Sequence, residues 1–216
     1  MATVLLIDDH STVSFTLSMA LGAEGMRVEV APLDSVEAVL SYAEELRPDV
    51  VLLDLDLGGS IGDGRELVGS LSGLAGQVVI FTGAMDFNRI AECLERGASD
   101  FVIKSEPFPN VLAAVTEAAS GSTRLRSAQR ERLIDGLARH RRDEENRLGL
   151  LRHLTGRERE VLAGMMNGNQ AETIAMSSGL SEATIRSQIR GVLGKLGVGS
   201  QLAAVAVARR SGWSSD

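Results

Sequence analysis

The chain has 216 residues, 44% of them hydrophobic and 24% charged, enough for one large soluble globular domain or two modest ones. Its opening, MATVLLIDDH, turns acidic after an apolar stretch too short for a signal peptide or a spanning helix, so the expectation is a cytoplasmic protein with no membrane anchor. The formal net charge of −7 conceals an asymmetry: residues 1–120 hold 6 Lys+Arg against 19 Asp+Glu (−13), residues 121–154 hold 9 against 5 (+4), and residues 155–216 hold 7 against 5 (+2). An acidic first half and a basic second half imply two domains with different partners, the second able to approach a polyanion.

From residue 3 to about 120, strand-like runs alternate with helical stretches: TVLLI then about 11–24, RVEVA then about 34–46, DVVLLD then about 63–73, QVVIF then about 86–96, DFVI then about 107–120. Five such repeats predict a doubly wound, flavodoxin-like α/β domain with a parallel five-stranded sheet, right-handed crossovers and helices on both faces. Cys93, within the helical stretch NRIAECLERGA, reads as a structural thiol, and as the single cysteine it forms no internal disulfide.

Ligands of such a sheet bind beyond the carboxyl ends of its strands, near the point where strand order reverses. The apolar runs here end in Asp8 and Asp9, in Asp54, in Thr82 and in Lys104. One polar strand end is commonly a meeting with solvent; all of them together make a site for a divalent cation and a phosphoryl group. Carboxylates from separate strands suit Mg2+, which prefers oxygen ligands. A carboxylate can also attack phosphorus to form an acyl phosphate, with a metal and a lysine neutralising the phosphoryl oxygens.

The run ASGST at 119–123 reads as a break, and 121–150 as a linker helix with Leu133, Leu137 and Leu148, followed by Leu151, at helical spacing. A solvated connector and a dimerising coiled coil both fit it. Residues 151–216 read as a small all-α domain. Thr155 and Glu158 form a capping box, a second helix covers about 170–178, Ser181 caps a third that ends before Gly197, and a fourth occupies about 200–210. The second and third helices form a helix-turn-helix, with Val161, Leu162, Ile174, Ala175, Ile185, Ile189, Val192 and Leu196 as its core. Arg186 and Arg190 lie four apart on one face, as base reading by arginine requires.

With its acidic pair, lone Asp, Thr and Lys in that order, the stretch from residue 3 to about 120 resembles the receiver domain of bacterial two-component response regulators. The resemblance implies Asp54 as phosphoacceptor, Asp8 and Asp9 as the Mg2+-binding pair, and the carbonyl of Asp56 as a further metal ligand. It also implies Thr82 as the switch hydroxyl, Lys104 as the phosphate-contacting lysine, and Phe101 as the aromatic that turns inward when the hydroxyl moves. The segments LTGREREVLAGMMNG, TIA and LSEATIRSQIRGVLGKLGVGSQLAAVAVA resemble the LuxR-type helix-turn-helix, which together with the receiver places the chain among NarL/FixJ-type regulators. By that resemblance Arg186, Ser187 and Arg190 reach bases of double-stranded DNA, and Gln188 and Lys195 contact its backbone. A sensor histidine kinase is the implied phosphodonor. A homodimer is expected, joined through the last helix by Leu202, Val205 and Val207, because one such module offers modest contact area.

Four positions depart from the family pattern. Met-Pro is absent after Asp54, where LDLGGSIGDG puts the matching glycine at Gly64 and lengthens the loop by two residues. Ser105 replaces the proline after the lysine, Ser178 a leucine, and Gln188 a frequent histidine. The expected function is a non-enzymatic DNA-binding transcriptional regulator switched by phosphorylation of Asp54. The altered loop keeps open a regulator that binds DNA without phosphorylation. Asp54-Leu55-Asp56 followed by glycines also resembles the nucleophile motif of haloacid-dehalogenase-type phosphatases, although there the nucleophile ends the first strand and the acidic pair comes late.

Overall fold

The computed structural model describes residues 1–214 and divides into two compact units, Met1–Leu137 and Ala138 onward. The last two positions of the 151–216 segment lie outside the described residues.

The first unit runs β1 (Thr3–Ile7), α1 (Ser11–Ala23), β2 (Arg27–Val30), α2 (Val36–Leu46), β3 (Val50–Leu53), β4 (Asp56–Gly58), β5 (Gly62–Asp63), α3 (Val68–Leu74), β6 (Gln77–Thr82), α4 (Phe87–Glu95), β7 (Asp100–Ile103) and α5 (Phe108–Ala119). Five strands form one parallel sheet in the order β2-β1-β3-β6-β7. The central strands are apolar without alternation because both faces are covered. Leu5, Ile7, Val51, Leu53 and Ile80 pack on one face with Val39, Leu71 and Ile90. Val4, Leu6, Val50, Leu52 and Val79 pack on the other with Leu17, Leu21, Val111 and Val115. Cys93 is fully buried and its thiol pKa is pushed up to about 12 by that burial, as suits a structural role.

The order reverses between β1 and β3, so Asp8 and Asp54 leave neighbouring strands at the switch point. The lengthened loop after Asp54 is no open loop. It folds into the antiparallel β4–β5 hairpin, with Gly58, Gly59 and Gly62 at positive φ to make the turn. A 3-10 turn over Gly64–Leu67 follows, so the helix expected from about 63 begins as α3 only at Val68. All described peptide bonds are trans, and the turn at Ser105 is held by Glu106, whose Oε1 accepts from the Ile103 amide at 3.1 Å.

The helix expected over 121–150 is observed as α6, Ser127–Arg152. Its first part belongs to the first unit: Leu133 and Ile134 pack against the core that also buries Leu125, two residues before the helix. Arg130 donates to the carbonyls of Leu94 and, at 2.8 Å, Ala98, placing a cation at the carboxyl end of α4. Just before α6, Thr123 Oγ1 donates to Ser99 O at 2.9 Å, and the Arg124 guanidinium reaches Asn110 O and Phe101 O.

In the second unit, α7 (Gly156–Met166), α8 (Ala171–Ser178), α9 (Glu182–Leu196) and α10 (Gln201–Arg210) follow the end of α6. Thr155 and Glu158 form the full capping box, Ser181 Oγ accepts from the Thr184 amide, and Gly197 closes α9 in the left-handed conformation. All eight residues expected in this core are buried, together with Leu151, Leu154 and Met165. Ser178, where a leucine would pack, returns its hydroxyl to Ile174 O at 2.7 Å. Val207 is corrected: it is 9% exposed and packs into this core, so it cannot join an intersubunit face, whereas Leu202 is 81% exposed.

At Gly64 a Cβ would sit 2.2 Å from the carbonyl oxygen of Asp54, a backbone atom that cannot swing aside. Gly64→Ala should therefore cost about 2 kcal/mol or more. A lowered urea midpoint for the full chain, followed by circular dichroism, checks it; an unchanged midpoint refutes the contact.

Candidate functional site

The carboxyl ends of β1, β3, β6 and β7 bring the expected residues together. Asp54 is 1% exposed, Thr82 1% and Asp8 6%, while Asp9 lies open to solvent at the rim. Lys104, one residue past β7, crosses the site: its Nζ donates to Asp54 Oδ2 at 2.8 Å and lies 2.6 Å from Asp8 Oδ2. The contact with Asp8 is a close ion pair without hydrogen-bond alignment, whereas that with Asp54 is aligned. Burial alone would lower the lysine's pKa. The two carboxylates outweigh it and raise the pKa above its ordinary value. The stabilisation from this charge is therefore complete below the amine's unfolded pKa and fades only as pH rises through the raised one, in strong alkali.

Thr82 Oγ1 sits within its own turn, 3.4 Å from the Ala84 amide. Phe101 is half-buried against the core that flanks α4. The Asp56 amide donates to Asp54 Oδ1 at 3.2 Å and helps to fix that carboxylate.

Two contributors were missed in the sequence. His10 directly follows the acidic pair, and its Nδ1 lies 2.6 Å from Asp9, 3.2 Å from Asp8 and 3.8 Å from Asp54. Its adjacency to two acids was a usable signal. Arg89 gave none: within an amphipathic helix an arginine reads as a solvated face, yet here it binds Asp56 at 2.9 Å.

One ligand atom each from Asp8, Asp9, His10 and Asp54 lie within 4.8 Å of one another, a spacing that a single cation can bridge. Hard carboxylate oxygens dominate the set, so the residues fit Mg2+. The carboxylate of Asp56 is engaged by Arg89, leaving its main-chain carbonyl as the group for the role expected of it.

On the second unit, α9 buries Ile185, Ile189, Val192 and Leu196 and exposes Arg186, Ser187 and Arg190 on the opposite face. Arg186 pairs with Glu182 at 2.5 Å, an exposed contact that a polyanion can displace at small cost. Gln188 and Lys195 are engaged differently within the unit. Gln188 is half-buried with Oε1 unpartnered, and Lys195 is held by Glu158 Oε2 at 2.6 Å and His153 O at 3.2 Å. Although burial raises the pKa of Glu158, Lys195 and the Thr155 cap hold it below the usual value, so this pair braces α7 against α9. Among the described residues no single helix is long and apolar enough to cross a membrane.

Removing Lys104 leaves two buried carboxylates without a fixed cation. Lys104→Met in a metal-free buffer should lose about 3 kcal/mol, and adding Asp54→Asn should recover part of it. Urea denaturation of the two variants and the wild type checks both signs; a double variant no more stable than Lys104→Met would contradict the pairing.

Residues 4–116 match the model of the response regulator receiver domain, and residues 152–208 that of bacterial regulatory proteins of the luxR family. The nitrate/nitrite response regulator protein NarL of Escherichia coli (strain K12) is 28% identical over 205 residues, covering 94% of this chain and 93% of NarL. The transcriptional regulatory protein LiaR of Bacillus subtilis (strain 168) is 29% identical over 214 residues, covering 98% of each chain. Among solved structures, the Salmonella typhimurium RcsB response regulator shares the fold over 97% of this chain and all of its own, with a TM-score of 0.56 and 21% identity. The receiver match spans more than half of the sequence and a luxR-type domain follows it, so this chain belongs to the response regulator receiver family, among the NarL/FixJ-type regulators.

Proposed function

We propose that this response regulator binds double-stranded DNA to control transcription and is switched by phosphorylation of Asp54. The observation that carries the reading is a buried Asp54, tethered by Lys104 within a cation-ready acid cluster, on the same chain as a capped helix exposing Arg186 and Arg190. In this reading residues 1–120 accept the phosphoryl group, 121–150 connect, and 151–216 read DNA.

A carboxylate oxygen of Asp54 attacks phosphorus on the phosphohistidine of a sensor kinase; the P–O bond forms, the P–N bond breaks, and the imidazole leaves. Asp8, Asp9, Asp54 and the Asp56 carbonyl would hold Mg2+, which neutralises charge on the phosphoryl oxygens. Lys104 already spans Asp8 and Asp54 and needs little movement to follow the new charge. The Thr82 hydroxyl then donates to a phosphoryl oxygen, and Phe101 fills the space it vacates, biasing a two-state equilibrium. In this role the receiver takes one phosphoryl group and is not an enzyme acting on a separate substrate. A homodimer placing two α9 helices on two half-sites would use exposed Leu202 and neighbouring Val205 on α10. All of these partners are met in the cytoplasm.

The β4–β5 hairpin beside Asp54 favours a second reading, in which DNA binding needs no phosphoryl group. Weighing the full chain after a small phosphodonor and Mg2+ separates the two: a gain of about 80 Da, one phosphoryl group, is expected, and none in Asp54→Asn. Selection of bound duplexes from a random pool should yield one sequence more strongly with phosphodonor. On that duplex Arg190→Ala should lose roughly 1–3 kcal/mol and relax the base preference. No mass gain in the wild type would leave only the second reading.

A further inference from the structure

The arginine that the sequence did not flag stands in an unusual place. Arg89, in the first turn of α4, donates through Nη2 to the carbonyl of Leu55, the residue directly after the phosphoacceptor, at 3.1 Å. Its Nη1 pairs with Asp56 Oδ1 at 2.9 Å, and Nη2 lies 3.5 Å from Asp63 Oδ1. The Arg89 side chain is 22% exposed, while the Asp56 carboxylate it binds faces solvent on its other side, 59% exposed. Asp63 is chiefly held by Arg65, through Nε at 2.8 Å and Nη2 at 2.6 Å, and Arg65 in turn binds Glu92 one turn along α4. Arg65 therefore satisfies Asp63, and Asp56 is left to Arg89 alone.

Asp56 is the fourth carboxylate of this region, two residues from Asp54; the Lys104 amine is already shared between Asp8 and Asp54, and Asp9 lies 2.6 Å from the His10 ring. An incoming phosphodonor is itself an anion. A free carboxylate on Asp56 would repel it and would compete for any cation drawn to Asp8, Asp9 and Asp54. On the α4 side, the guanidinium of Arg89 instead fixes that carboxylate and, through Leu55, the peptide that carries it.

We propose that Arg89 is a positioning residue for phosphoryl uptake: by neutralising and holding the Asp56 carboxylate, it keeps the approach to Asp54 open to an anionic donor. The inference rests on the reading of Asp54 as phosphoacceptor and adds to it a requirement peculiar to this lengthened loop. Arg89 touches neither donor nor phosphoryl oxygens; it acts through Asp56.

The test follows the rate of phosphoryl uptake by the full chain from acetyl phosphate with Mg2+, by intact mass. Arg89→Gln keeps a donor for Leu55 but removes the charge, and should slow uptake on the order of tenfold, the effect of one uncompensated charge a few ångströms from the reacting atoms. Arg89→Lys should load within about threefold of wild type, since a point charge suffices for neutralisation. Adding Asp56→Asn to Arg89→Gln should restore uptake to within about threefold, and raising ionic strength should narrow the gap between wild type and Arg89→Gln. A merely structural arginine would not be rescued by removing a carboxylate. Uptake by Arg89→Gln within twofold of wild type, or an Arg89→Gln/Asp56→Asn variant as slow as Arg89→Gln, overturns the inference while leaving Asp54 as acceptor. A wild-type chain that gains no mass overturns both.

Discussion

Two carboxylates side by side in a protein interior repel one another unless a cation or a shared proton lies between them, and this constraint governs the first unit. Asp8 and Asp54 leave adjacent parallel strands with almost no exposure to water, so the sheet itself forces them together. Desolvation disfavours both charges, and each raises the cost of the other. Lys104 answers from just past β7 with one amine shared between the two acids, and the His10 ring lies at the rim, 3.2 Å from Asp8. The remaining features of the edge follow from keeping that arrangement accessible. Gly64 has no side chain because the Asp54 carbonyl occupies its space, and Arg89 and Arg65 tie the hairpin to α4. A site whose two buried acids share one amine is also one in which an added cation or phosphoryl group changes the balance. That is the physical content of a switch.

The second unit solves a different problem. Four short helices cannot bury much surface, so their ends and crossings are fixed by specific bonds: the Thr155 capping box, the Ser181 cap, and the Lys195–Glu158 pair between α9 and α7. Ile174 presses so closely on Gly164 that a Cβ there would meet it at 2.8 Å. With one face of α9 committed to this packing, the opposite face is free to carry Arg186, Ser187 and Arg190. Core and reading surface are thus two sides of one helix, separated by its 3.6-residue period.

What was legible in the sequence is what local pattern encodes. Apolar runs ending in polar residues located the ends of β1, β3, β6 and β7, and capping residues located α7 and α9, because both signals depend on neighbours a few positions away. The hairpin over 56–63 escaped notice because it is two very short strands in a glycine-rich stretch with no alternation to detect. Arg89 and Arg130 escaped for another reason: each looks like a solvated charge, and each is bound to groups far along the chain, at Leu55 and Leu94. Val207 was assigned to the wrong side of α10 because its neighbours Leu202 and Val205 are apolar too, and composition does not say which of three faces the core.

The segment after α5 shows why a charged stretch need not be a passive tether. Arg130 occupies the carboxyl end of α4, where unpaired carbonyls favour a cation, and Arg124 joins the carbonyl of Phe101 to a main-chain bond with buried Asp100. Leu125, Leu133 and Ile134 add apolar contacts with the same side of the sheet. The start of α6 is therefore built from the residues that flank β7 and α4, the elements that also carry Lys104, Phe101 and Arg89. A rearrangement of those elements has to break or remake the bonds of Arg124 and Arg130, and α6 is one unbroken helix from Ser127 to Arg152.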